Sequence, residues 1–259
     1  MKWTLFALVL LVSLFILSIV VVVIAGAVTR TWGVNYELTW RHMRTALNAS
    51  SRSITNSLLL SGIGAAAAAV FGTLAAYLFT RRPFAGVRAL DFLSMLPYAL
   101  PGVVMGLGFA VAFGGRFAWI VLTGTAVIIF LNHFIRRMPF AIRSASGALK
   151  QIDPVIEEAA ADLGARPVYS FRRVTFPLLR ATVLGAFVFG FINMMTDITA
   201  VIFLVSPRWR LLSIDLFNAI DAGRLGVAAA LSVIMIVSTF AVLLVVWRLS
   251  GRGLDFFRR

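Results

Sequence analysis

No charged residue separates Lys2 from Arg30, and the run Trp3–Val28 between them is almost wholly apolar. A helix needs about 20 apolar residues to cross the hydrocarbon core of a bilayer. This run is long enough, and five more of the same kind follow: about Asn56–Thr80, Leu90–Phe113, Phe117–Phe134, Leu178–Leu204 and Val227–Leu249. Backbone polar groups in lipid must be satisfied within the segment, which restricts such runs to helices. The expected architecture is all-α: a polytopic membrane protein of about six transmembrane helices, with residues 1–259 forming a single domain. Composition agrees. The chain is 61% hydrophobic and 13% charged, against roughly a quarter charged in soluble domains. No stretch is long and polar enough for a separate soluble domain.

Lys2 ahead of the first run, and Ala25-Gly26-Ala27 near its end, imitate a secretory signal. The run far exceeds the roughly 7–15 residues of a signal core, so it reads as an uncleaved anchor. A net charge of +14 invites a nucleic-acid reading, but the charges are scattered between apolar spans. Cytoplasmic loops of membrane proteins collect Lys and Arg and face anionic lipid. With the N-terminus inside, 16 of the 24 Lys and Arg residues fall on the inner side. That places both termini, and the long polar segment before the fifth span, in the cytoplasm. There is no cysteine, which excludes disulfides and thiolate metal sites. His42 and His133 stand far apart and read as loop or interface residues. No His, Asp and Glu cluster has metal-ligand spacing, so no metal site is expected.

The second span is rich in small residues (Gly62, Gly64, Ala65–Ala69, Gly72) that let helices approach closely. The third holds Pro97, Pro101 and Gly102-x-x-x-Gly106. Two prolines four residues apart remove two backbone donors and predict a kink or break. Backbone freed within a membrane must be buried in protein or line a cavity, which points this span toward the interior. The fifth is interrupted by Asn193 and Asp197. An ionisable residue inside a membrane is a functional candidate because lipid exposure is costly. Asp197, with Asn193, Pro97 and Pro101, is therefore a candidate for lining a translocation path. The alternative is an Asp paired with a neighbouring Arg or capping a broken helix.

The polar segment has its own logic. Asp153-Pro154 starts a helix: Asp caps free N–H groups and Pro suits the first turn. Glu157 and Glu158 then complement the helix dipole, Ala159, Ala160 and Ala161 favour helix with little bulk, and Gly164 fits the left-handed position that ends it. Pro167 opens a second short helix, Val168–Val174, which Pro177 closes before the fifth span. The expectation is a helix–turn–helix on the cytoplasmic face. Its alanine face suits a groove on another protein, to which Glu158 offers a carboxylate. Arg166, Arg172 and Arg173 can hold the second helix at headgroups or on the partner.

Glu158-Ala159-Ala160-x-x-x-Gly164, followed after nine residues by Val174-x-Phe176-Pro177, resembles the EAA loop of permease subunits in binding-protein-dependent ABC importers. Val and Phe stand where that pattern has Ile and Leu. Asn56-Ser57-Leu58, Pro97 and Pro101, Arg137-Met138-Pro139-Phe140 and Ala228-Ala229-Ala230-Leu231 extend the likeness over most of the chain beyond the first span. The resemblance implies a MetI-like transmembrane domain over about residues 56–250, with a coupling loop at about 138–177. It implies a bacterial inner-membrane location and an ATPase-coupling role for Glu157, Glu158, Ala159, Ala160, Gly164, Val174 and Pro177. Implied partners are two cytoplasmic ATPase subunits carrying ATP and Mg, a second permease (identical or homologous), an extracytoplasmic solute-binding protein, and membrane lipid. This chain has no G-x-x-x-x-G-K-[ST] phosphate loop, so it is expected to bind no cofactor, to do no catalysis and to leave hydrolysis to another polypeptide. It also resembles one half of fused ferric permeases.

Thr196-Asp197-Ile198-Thr199-Ala200 and the stretch from Leu216-Phe217-Asn218 to Gly223 look most like the branch importing ferric iron, aminoethylphosphonate, thiamine or polyamines. Iron is the first expectation. A secondary transporter would need intramembrane ion-coupling groups, for which Asp197 is nearly the only candidate. An intramembrane enzyme finds no paired-carboxylate, Ser/His or metal site in the spans.

Overall fold

The computed structural model describes residues 2–82, 84–115 and 120–250. Helix α1 (Lys2–Val28) leads into a short antiparallel hairpin, β1 (Thr29–Thr31) and β2 (Asn35–Leu38). Helix α2 (Arg41–Arg81) is followed by α3 (Val87–Ala99), α4 (Gly102–Ala112) and α5 (Ala126–Gln151). Next come α6 (Val155–Asp162), α7 (Pro167–Ser170), a π-helical stretch Phe171–Thr175, α8 (Phe176–Leu178) and α9 (Arg180–Met195). A 3-10 turn, Val201–Phe203, precedes α10 (Leu212–Asp221) and α11 (Leu225–Ser250). Among the described residues α1, α2 and α11 can each cross a membrane by length and composition, and the number reaches five if each of two bent pairs, α3 with α4 and the Pro167–Leu178 segment with α9, is one span.

The chain falls into two compact units. One comprises Met1–Ser57 with Arg210–Phe240. Within it α1 buries only Ala27, so its apolar surface is left for lipid. The hairpin carries an Arg30–Glu37 ion pair at 2.9 Å, and the Arg30 guanidinium holds the exposed Glu37 carboxyl below its usual range. Ser57 and Asn56 tie α2 to the start of α10. Ser57 Oγ accepts from the Leu212 N–H at 2.7 Å, and Asn56 Nδ2 donates to the Arg210 carbonyl at 3.1 Å. The Ser57 bond satisfies one of the amides that a helix start leaves open.

The other unit is Leu58–Trp209 with Ala241–Arg259. Its centre is α5, whose buried residues Ile128, Ile129, Asn132, Ala141, Ile142, Ala145 and Leu149 form one helical stripe. Small residues let α2 and α9 close on that stripe: Ala69, Ala141 and Ala186 form one buried cluster, and Ala76, Tyr77, Ala145, Leu149 and Leu179 belong to another.

Several expected boundaries differ. Helix α2 starts at Arg41, well before the expected start of the second span at Asn56. The third span does break, but only at Pro101: α3 and α4 meet at 105°. Leu100, just before the proline, is extended (φ −80°, ψ 138°), as steric conflict with the proline ring demands. Pro97 stays inside α3. Nor does this span face inward within the chain, because α3 buries no residue and α4 buries only Gly106. The reason lies at Gly106, where a Cβ would lie 2.8 Å from Ala200 Cα. The contact is made by glycine backbone, and the large side chains point away. The fourth helix does not stop at Arg136-Arg137. It runs through Pro139 to Gln151, because burial of Ala141, Ile142, Ala145 and Leu149 continues the stripe. The expected start of that span, at Phe117, lies outside the described residues.

Candidate functional site

The polar segment after α5 forms an elbow whose base is fixed by polar contacts. Val155 N–H donates to Asp153 Oδ1 at 3.0 Å, so the expected Asp does begin α6. The helix ends where Gly164 takes φ +84°. Gly164 N–H bonds to the Ala161 carbonyl at 2.8 Å and Ala165 N–H to the Ala160 carbonyl at 3.0 Å. That pair of bonds is the Schellman arrangement, which satisfies the carbonyls a helix end leaves open. Pro167 opens α7. The second helix does not end at Val174, however. It continues through the π-helical stretch to Leu178, and Pro177 lies within its last turn. The chain turns by 70° at that point, before α9.

Glu157 and Glu158 face different ways. Glu157 accepts from Tyr77 Oη at 3.1 Å and from Thr175 Oγ1 at 3.0 Å. Arg81 Nε stands 3.6 Å from its carboxylate, an electrostatic contact. Arg81 also donates through Nη2 to the carbonyls of Leu149 and Ile152, at 3.0 and 2.5 Å. A cation there satisfies and complements the C-terminal end of α5. The Tyr77 ring lies against Phe171 at 4.6 Å. Glu157 therefore binds α6 to α2 and to the π-helical stretch, whereas Glu158, Ala159 and Gly164 are exposed and Ala160 and Val174 half-buried.

The outward side carries an apolar surface that the motif does not include. Leu163 is 90% exposed, Val168 78% and Tyr169 60%. Leu163, Tyr169, Ala160 and Ala165 line a cavity of about 530 Å³ beside Gly164 and Arg166. Exposed apolar side chains of this size in a polar loop are the signal of an interaction surface that the sequence carries beyond its alanines. Glu157→Ala should leave the chain in the membrane but loosen the elbow, because it deprives Tyr77 and Thr175 of their acceptor and Arg81 of its counter-charge. Limited proteolysis in the 155–175 segment should then proceed at least several-fold faster. Unchanged cleavage would show that Glu157 holds nothing.

Asp197 lies in the turn after α9, paired with Arg136 of α5 at 2.5 Å. Their side chains are only 3% and 12% exposed. Thr199 Oγ1 donates to the same carboxylate at 3.1 Å and Ala200 N–H at 3.4 Å. The alternative weighed from the sequence, an Asp held by a neighbouring Arg, is the arrangement found. Asn193 is half-buried and donates to the Phe189 carbonyl of its own helix at 2.9 Å. Pro97 is half-buried and Pro101 exposed, and Gly102, next to Pro101, lies against Thr199 and Arg136. His133 is neither a loop nor an interface residue. It is buried on α5 beside the backbone of Gly64, and Asn132 next to it is equally enclosed. Among the described residues no group of three His, Cys, Asp or Glu side chains could hold a metal ion.

Membrane-length helices with a polar elbow between them define a class, the polytopic membrane proteins. Residues 68–252 match the family described as the binding-protein-dependent transport system inner membrane component, and the chain belongs to that family. It is 34% identical over 224 residues to the ferric transport system permease protein FbpB of Actinobacillus pleuropneumoniae, covering 85% of this chain but 32% of that protein. It is 32% identical over 170 residues to the putative 2-aminoethylphosphonate transport system permease protein PhnV of Salmonella paratyphi A, covering 64% of this chain and 63% of that one. The chain thus spans about a third of the ferric relative's length. A bacterial ABC transporter involved in import of the acidic polysaccharide alginate has the same fold, with TM-score 0.75, 16% identity, and 96% of each chain covered. The MetNI methionine ABC transporter is a second such structure, with TM-score 0.58, 15% identity, and 77% of this chain and 93% of that one covered. The chain is a multi-pass member of that family and has the fold seen in those two transporters.

Proposed function

We propose that this permease couples to a cytoplasmic ATPase through its α6–α8 elbow and passes ferric iron across the inner membrane. The observation that carries the coupling reading is the division of labour at Glu157 and Leu163. The carboxylate fixes the elbow to α2, while the apolar tip has no cover among the described residues. A rigidly held part with an exposed apolar tip transmits a partner's displacement to the helices behind it. ATP and Mg belong on that partner, present in two copies, so this chain does no catalysis. A second permease, identical or homologous, and an extracytoplasmic solute-binding protein complete the unit. The exposed apolar surface of α3 and α4 supports the second permease. Both termini lie in the cytoplasm under this reading, in keeping with the arginine distribution.

Iron rests on the likeness to the ferric permease, with aminoethylphosphonate, thiamine and polyamines as the other candidates of the same branch. Asp197 and Asn193 are the candidates for lining the path, and selectivity belongs to the solute-binding protein. Proteoliposomes holding the permease with its ATPase and binding protein should accumulate labelled ferric iron only when ATP is present on the ATPase side. Uptake that persists without ATP and collapses with the proton gradient would identify an ion-coupled carrier instead. ATP-driven uptake of a phosphonate but not of iron would overturn the substrate alone.

A further inference from the structure

A cavity of about 610 Å³ lies within the first unit, where the end of α1 and the hairpin meet the first turns of α2 and α11. Its lining has two characters. Val22, Val23 and Ala229 supply an apolar wall, and Arg30, Arg41 and Arg224 supply guanidinium groups. Arg30 is paired with Glu37, whereas Arg41 and Arg224 have no ion pair among the described residues. The His42 ring closes one side. Its Nε2 lies 3.2 Å from the Arg30 carbonyl, and a Cβ on Gly226 would come within 2.5 Å of the ring.

Depth in the membrane is fixed by neighbours. The apolar run of α1 ends at Val28, and Trp32, Tyr36 and Trp40 follow with their rings largely exposed. Exposed Trp and Tyr at the end of a span mark the headgroup level. The apolar wall belongs to α1, which buries only Ala27 and is otherwise open to the bilayer. Arginine recognises phosphate through paired N–H donors, and the first turns of two helices add their positive ends.

We infer that this cavity binds one anionic phospholipid, its phosphate on Arg41 and Arg224 and an acyl chain along Val22 and Val23. The site is separate from the elbow and stands whether or not the coupling proposal does. A free anion would leave the apolar wall empty, and the open route from the bilayer favours lipid.

Native mass spectrometry of the full chain in detergent, titrated with phosphatidylglycerol, phosphatidylcholine or inorganic phosphate, tests this. One phosphatidylglycerol should be retained at least ten-fold more tightly than phosphatidylcholine. Arg41→Gln with Arg224→Gln should weaken it roughly thirty-fold, at about 1 kcal/mol per arginine near an anionic lipid. Gly26→Leu, whose added Cβ would meet only Ala229 Cβ at 3.4 Å, should fill the cavity and displace the lipid with every charge intact. Equal retention of the two lipids, or retention unaffected by Gly26→Leu, would overturn the site. Inorganic phosphate competing as tightly as the lipid would replace it with a free-anion site.

Discussion

Gly164→Pro should reduce uptake to background and release the ATPase from the purified complex, while the amount of permease inserted in the membrane stays unchanged. Gly164 sits at φ +84°, and proline is confined to about −65°. Proline also lacks the N–H that bonds to the Ala161 carbonyl at 2.8 Å. The substitution therefore loses both the turn and its bond, and the segment carrying Val168 and Tyr169 is re-aimed relative to α6. Gly164→Ala keeps the N–H and faces only the left-handed penalty of roughly 1–2 kcal/mol, so it should retain part of the activity. Glu158→Lys attacks the same surface by charge alone, since Glu158 is exposed. It should weaken ATPase association without loosening the elbow. Uptake quantified beside co-purification checks all three. Wild-type behaviour of the proline and lysine variants would remove the elbow from the coupling path.

The second large effect is at the buried pair. Arg136→Ala or Asp197→Ala alone should destabilise the protein by about 3–5 kcal/mol, because each leaves an uncompensated charge in a low-dielectric site. Loss on removing Asp197 should be compounded by Thr199 Oγ1 and the Ala200 N–H, which both donate to it. Joint replacement, Arg136→Met with Asp197→Leu, should recover most of the stability, since an apolar pair of similar volume is often neutral or better. Thermal unfolding in detergent reads the stability, and uptake then separates the roles. A stable double variant that transports marks the pair as structural. A stable double variant that does not transport assigns the charges to the path.

The architecture was legible because span length is set by the bilayer, and that constraint does not depend on packing. The break at Pro101 was readable for the same kind of reason: a missing N–H and a steric clash act locally. So was Gly164, whose left-handed conformation follows from helix-end geometry. The length of α5 was not readable. Arg136 and Arg137 look like the end of a span, and only contact with Tyr77, Ala76 and Leu179 shows why the helix continues to Gln151. The opposed orientations of Glu157 and Glu158 were hidden too. Adjacent glutamates are equivalent in sequence, and what divides them is the position of Tyr77, 80 residues away. The hairpin at Thr29–Leu38 left little trace, because strands of three and four residues carry too short an alternation to recognise.

A chain that lacks cysteine allows a single Leu163→Cys to serve as a unique cross-linking point at the elbow's tip. In inverted membrane vesicles containing the co-expressed ATPase, that thiol should react with a membrane-impermeant maleimide and, through a short bifunctional reagent, cross-link to the ATPase. Labelling of Leu163→Cys from the periplasmic side, or an absence of any ATPase adduct while uptake remains intact, would contradict the account.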